Sequence, residues 1–320
     1  MTTGSTASLR DTLPPHPLGM DPALRQNAPD LLEPPAGAGP PTARRRPVRV
    51  GPLAVYGLLL LGALLMLVPF AFMLSDSLRS AGGVEQGMAH PLPNALHWSN
   101  YPRALARMHF FNALANTIFI TSLSVAGQIL SSSLVGFGFA RFRFPGRNII
   151  FMIMLSTMML PPQVTMIPVF LLFRDLGWIN TFLPLIVPAW LASPFFVFMF
   201  RQFFAQVPEE LIEAARIDGA SNWKIYWKFM LPLSLPVIAI VAIYTFLGAW
   251  NDYLNPLIYL NSPHNRTLAL ALSAFSGQYG VRHAELLMAA SCVTMLPCVI
   301  LFFVAQRYFV ESVATSGLKG

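Results

Sequence analysis

Charge is what this 320-residue sequence has least of. Asp, Glu, Lys and Arg together make up 11% of it, against about 25% in an ordinary soluble domain. Cysteine is nearly absent too. Cys292 and Cys298 stand six residues apart in one apolar run, so they form no disulfide scaffold and read as reduced packing residues. No G-x-x-x-x-G-K-[ST] phosphate loop occurs, so the chain itself is not expected to bind ATP. The six histidines lack metal-ligand spacing. No Ser-His-Asp or Cys-His signature is present either, so no catalytic residue, metal site or cofactor is assigned to this chain.

What is there is apolar length. Six intervals contain no Asp, Glu, Lys or Arg: Val50–Ser75, Met108–Ala140, Asn148–Phe173, Leu176–Phe200, Phe229–Asn251 and Leu286–Gln306. Each exceeds the roughly 20 helical residues that cross a bilayer core. The expected fold is therefore all-α, a polytopic membrane protein with six transmembrane helices over residues 50–310. That class excludes a soluble enzyme. It also explains the net charge of +7 without nucleic acid, because membrane proteins concentrate Lys and Arg on the cytoplasmic side.

Counting those cations gives an orientation. With the N-terminus inside, 15 Lys and Arg fall on cytoplasmic segments and six outside. Both termini are thus expected in the cytoplasm. Residues 1–49 hold ten of the 28 prolines and no apolar periodicity, and read as a disordered cytoplasmic tail. Arg44, Arg45, Arg46 and Arg49 end that tail where they can meet anionic membrane lipids. Residues 311–320 read as a short cytoplasmic tail.

Three polar interruptions stand out. Outside, Ser99 or Asn100 can cap a short helix with Pro102 in its first turn. In the third span, Pro161-Pro162 removes two backbone donors just before Gln163. That is either a structural kink or a pathway-lining break exposing Gln163. At the end of the fifth span come Trp250, Asn251, Asp252 and Asn255. They are either inexpensive polar residues at the interface or an aromatic and polar wall suited to a sugar.

The loop at residues 205–232 is unlike the others. Pro208 with Glu209 and Glu210 suits a helix start. Leu211, Ala214 and Ala215 form a small apolar stripe. Gly219 can take the left-handed turn that ends a helix, and Ser221 can cap the next one. A small-residue face with a sharp turn suits docking into a partner's groove.

Glu213-Ala214-Ala215, three residues, Gly219, nine residues, Phe229, one residue, then Leu231-Pro232 resembles the EAA loop of ABC importer permeases. The stretch Glu213 to Ser221 is similar to the carbohydrate-uptake branch and its MalG-like subunits. The match extends to Leu160-Pro161-Pro162-Gln163, Trp250-Asn251-Asp252-Tyr253 and Gln306-Arg307-Tyr308-Phe309. Phe229, where Ile is more usual, is a conservative departure. The resemblance implies a type I importer fold in the bacterial cytoplasmic (inner) membrane. It also implies a second permease subunit, two ATP-binding cassette subunits holding ATP and Mg, and an extracytoplasmic solute-binding protein. Glu213 would contact the ATPase, Ala214 and Ala215 would allow close approach, and Asp218 and Gly219 would complete the turn. Transport of a sugar or polyol driven by ATP is the function implied. The competing reading is a secondary transporter or channel without ATP, against which the charge-free spans argue.

Overall fold

The structure, a computed structural model, describes residues 52–81, 84, 92–279 and 282–317. The expected tail at 1–49, with its four terminal arginines, lies outside the described residues. Two compact units divide the chain, Met1–Leu61 and Gly62–Gly320. Among the described residues the first holds only the opening turns of helix α1 (Pro52–Ser77).

The second unit is built on α3 (Phe110–Arg141), reached through the short α2 (Asn100–Arg107). Ser99 makes no side-chain cap on α2. Asn100 is buried instead, and its amide donates to the carbonyls of Ser77 at 2.9 Å and Arg79 at 2.8 Å. With 32 residues, α3 is about 48 Å long, enough to cross a bilayer. Its buried face carries Thr117, Ser124, Gly127, Ser132, Ser133 and Gly136. Small residues let neighbouring backbones approach where lipid supplies no hydrophobic drive between helices.

Gly136 shows how close that approach is. A Cβ built there would lie 2.6 Å from Phe200 Cβ and 3.1 Å from the Arg201 amide nitrogen. Those atoms belong to α7 (Pro194–Gln206), where Val197, Phe200 and Phe204 are fully buried.

Between α3 and α7 come α4 (Arg147–Ser156), extended by a 3-10 turn at Thr157–Met159, then α5 (Pro162–Asp175). α6 (Leu183–Ile186) follows, with its own 3-10 turn at Val187–Leu191. The hairpin consists of α8 (Glu209–Ile217), then α9 (Asn222–Ile225). α9 runs through a π-helical turn at Tyr226–Met230 into α10 (Leu231–Leu233). The chain ends with α11 (Leu235–Trp250), α12 (Leu254–Tyr259), α13 (Leu268–Tyr279) and α14 (Ala284–Gly317). No strand occurs among the described residues.

Four helical segments and two bent pairs stand where six spans were expected. Leu53–Ser77, Phe110–Arg141, Leu183–Gln206 and Ala284–Val304 are each long and apolar enough to cross a membrane. Arg147–Met159 with Pro162–Asp175 bends by 100°, and Asn222–Leu233 with Leu235–Trp250 bends by 75°. The first bend falls at Pro161, whose ψ of 134° is extended. Two prolines in a row withhold two donors and block the preceding turn, so the helix breaks there. α14 continues to Gly317, into the segment 311–320 that was expected to be a tail.

Two buried clusters occupy opposite ends of α3. One gathers Ala104, Phe110, Trp250, Leu268, Phe275 and Leu286 near its start. The other gathers Phe137, Phe200, Phe204, Ile212, Ile225 and Tyr226 near its finish and roots the hairpin.

Candidate functional site

The hairpin is a local construction of its own sequence. Pro208 leads into α8, with Glu209 and Glu210 in the first turn where the helix dipole favours them. Its C-terminus closes as a Schellman motif. The Ala220 N–H donates to the Ala215 carbonyl at 2.9 Å, and the Gly219 N–H donates to that of Arg216 at 3.0 Å. Gly219 has φ of 76°, the left-handed value this closure needs. Ser221 then caps α9, accepting from the Lys224 N–H at 3.3 Å.

The apolar stripe divides between two faces. Ile212 (4% exposed) and Ala215 (8%) turn into the cluster around Phe137 and Phe204. Leu211, Glu213, Ala214, Ile217, Asp218 and Gly219 face outward. Ala214 and Ala215 were expected to share an approach face. The structure separates them, because adjacent helical residues point about 100° apart. Ala215 therefore serves close packing within the chain. Leu211 and Ile217 (87% exposed) leave apolar surface uncovered on the outer side.

Arg141, the last residue of α3, fastens the hairpin's entry. Its guanidinium donates to the carbonyls of Phe204 and Val207, at the end of α7, and approaches Glu209 at 4.0 Å. A cation on the exposed carbonyls of a helix C-terminus satisfies them and complements the dipole. On the other arm, the hydroxyls of Tyr226 and Ser133 lie 2.7 Å apart.

Away from the hairpin, two cavities share a wall. One of about 340 Å³ is lined by Gln163, Thr165, Phe173, Leu185, Asp252, Asn255 and Tyr259. The other, about 500 Å³, is lined by Ser124, Gln128, Leu185, Ser193, Tyr244, Thr245, Asp252 and Asn255. Leu185, Asp252 and Asn255 belong to both. Gln163, Asp252 and Asn255 are thus brought together from distant parts of the sequence. Asp252, two residues before α12, serves as a cap by satisfying one of its first N–H groups: its Oδ1 accepts from the Asn255 N–H at 3.2 Å and its Oδ2 from the Asn255 amide at 2.9 Å.

Trp250 and Asn251 lie elsewhere, which corrects the expected polar wall. Trp250 is 4% exposed, stacks on Phe246 at 5.2 Å and donates from Nε1 to the Thr294 carbonyl at 3.4 Å. It is a core residue, since a helix end places successive side chains on different faces. Asn251 is exposed and bonds back to the Leu247 carbonyl at 2.9 Å.

The sequence reading missed the polar side of α3. Thr117, Thr121, Ser124 and Gln128 recur at steps of four, three and four, which is one helical face. Gln128 is buried and donates to Ser132 Oγ at 2.6 Å. Thr245 Oγ1, on the wall of the larger cavity, has no partner among the described residues. Donors, acceptors and rings with a single carboxylate make a surface suited to an uncharged polyhydroxy solute.

Known proteins resemble this arrangement. Residues 129–315 match the family of binding-protein-dependent transport system inner membrane components. The arabinooligosaccharides transport system permease protein AraQ of Halalkalibacterium halodurans is 38% identical over 66% of this chain and 75% of its own length. The melibiose/raffinose/stachyose import permease protein MelC of Bacillus subtilis is 31% identical, over 79% of this chain and 91% of its own. Among solved structures, a chain of a bacterial ABC transporter involved in the import of the acidic polysaccharide alginate superposes with a TM-score of 0.71. It is 27% identical, and the match covers 80% of this chain and 96% of that one. With this family match spanning the hairpin and most of the helical core, the chain belongs to the inner membrane components of binding-protein-dependent transport systems and has the fold of an ABC importer permease.

Proposed function

We propose that this permease carries a sugar or related polyol inward, driven by ATP hydrolysed on separate subunits. The carrying observation is the hairpin: a closed turn rooted by Ile212 and Ala215 that leaves Glu213, Ala214, Asp218 and Gly219 outward. It is the seat for an ATP-binding cassette subunit. Two such subunits hold ATP and Mg, for which this chain has no phosphate loop. A second permease subunit completes the membrane portion, and a solute-binding protein delivers the substrate on the opposite side. The N- and C-termini lie in the cytoplasm, as the distribution of Lys and Arg favours.

The solute passes the paired cavities, with Gln163, Asp252 and Asn255 on their walls. The carbohydrate importers AraQ and MelC among the relatives support that substrate class. Reconstitution of the complete transporter in vesicles tests the reading. Glu213→Arg should leave the complex assembled in the membrane but separate ATP hydrolysis from sugar uptake. Unchanged uptake would remove the hairpin from the coupling path. Uptake in vesicles lacking the ATPase would overturn ATP drive altogether.

A further inference from the structure

At the end of α3 remote from the hairpin is a third cavity, about 210 Å³, whose walls include Arg107, His109, Asn112, Arg266, Gln278 and Tyr279. Among the described residues no Asp or Glu lines it. Neither arginine pairs with a carboxylate among the described residues. Arg107 lies over the Tyr279 ring instead, with its guanidinium carbon 5.4 Å from the ring centroid. A ring face orients a guanidinium while leaving its in-plane donors unused.

His109 adds to the cavity in an uncommon backbone conformation. Its φ is 50°, left-handed for a residue with a β-carbon, and it gives α3 no side-chain cap. The positive end of the α3 dipole is thus directed to the same region. Segments on this side carry few cations, yet two of their six Lys and Arg meet here from distant parts of the sequence. A topological signal would place them on the other side of the membrane.

We propose that this cavity binds a phosphate-bearing anion, held by Arg107 and Arg266 and supplied by the headgroup of an anionic phospholipid or by a free phosphate. Guanidinium groups match phosphate oxygens in pairs. Phe111, beside Asn112 in sequence but outside the cavity wall, is 75% exposed and offers apolar surface for an acyl chain next to the headgroup site. That setting favours the lipid. Assignment to the outer leaflet rests on the orientation proposed above; the binding itself does not.

The test uses the complete transporter purified in detergent and measured by native mass spectrometry. One arm adds phosphatidylglycerol against phosphatidylcholine, and a second adds inorganic phosphate. Phosphatidylglycerol should be retained about tenfold over phosphatidylcholine, and the Arg107→Gln/Arg266→Gln pair should bring the two to parity. Arg266→Lys keeps the charge and should retain most of the preference, which separates loss of binding from loss of fold. Arg103→Gln, outside the cavity, should change nothing. Binding of inorganic phosphate that displaces the lipid supports the same phosphate chemistry with a soluble source. Parity of the two lipids in the unsubstituted protein with no phosphate binding overturns the proposal. So does a double variant that binds neither less tightly but loses the solute-binding protein, for the cavity is then a protein contact.

Discussion

Tyr226 and Ser133 hold their hydroxyls 2.7 Å apart, and this bond joins the second arm of the hairpin to α3 two turns before its end. Ser133 also donates to the Leu130 carbonyl at 3.2 Å, so Tyr226 is the donor of the pair. Both residues are buried. Tyr226→Phe should lower stability by about 1 kcal/mol, the net worth of one such bond. Thermal unfolding of Tyr226→Phe, Ser133→Ala and the double variant checks this. The double variant should fall by less than the two singles combined, because both remove one interaction.

Gly219 tests conformation apart from space. A Cβ there meets nothing within 4 Å, yet φ is 76°. Gly219→Asn should retain most uptake, because Asn tolerates the left-handed region. Gly219→Val should lose much more, and Gly219→Pro should abolish the Schellman closure, since proline fixes φ near −65°. Uptake per ATP hydrolysed is the measurement. Equal loss in all three would mean that the outer face, and not the turn, is what matters.

Two glycines of α3 should respond differently to one methyl group. At Gly136 the added carbon meets backbone and a Cβ on α7, which cannot move alone. Gly136→Ala should cost about 1–3 kcal/mol and reduce yield in the membrane. At Gly127 it meets the ring of Trp190. Trp190 is 44% exposed, so its ring has room to turn aside. Gly127→Ala should therefore be milder, and Trp190→Ala should rescue it.

Asp252 combines a cap with a cavity wall, and two substitutions separate them. Asp252→Asn keeps an acceptor for the Asn255 N–H and should leave stability nearly unchanged. Asp252→Ala loses the cap, at a cost of about 1 kcal/mol. If the carboxylate contacts the solute, both variants should reduce uptake while only the alanine lowers the melting temperature. Normal uptake in Asp252→Asn would remove the charge from the pathway.

Local chemistry was readable in the sequence, and orientation was not. The turn at Gly219, the cap at Ser221 and the break at Pro161 each depend on a few adjacent residues, and each appears where its residues predict it. Ala215 and Trp250 were misplaced because their exposure depends on what packs beside them from elsewhere in the chain. Nothing adjacent to Trp250 reveals that Phe246 and the Thr294 carbonyl occupy its two sides. The polar face of α3 was visible in the spacing of Thr117, Thr121, Ser124 and Gln128, but the absence of charge concealed it. Hydroxyls and amides, the groups suited to an uncharged solute, leave no mark on a charge pattern.

Arg141 gives the hairpin an asymmetric mounting. Its guanidinium ties the end of α7 to the end of α3, so the entry side resists unwinding without stranding a buried cation. On the exit side the chain passes through a π-helical turn and bends by 75° at Ser234, where among the described residues no ion pair fastens it. The two arms are thus held by different means, a buried cation at the entry and the Tyr226–Ser133 hydroxyl pair with buried side chains at the exit. Both fastenings end on α3, through Arg141 and Ser133, so α3 is the helix to which a load on the hairpin is passed.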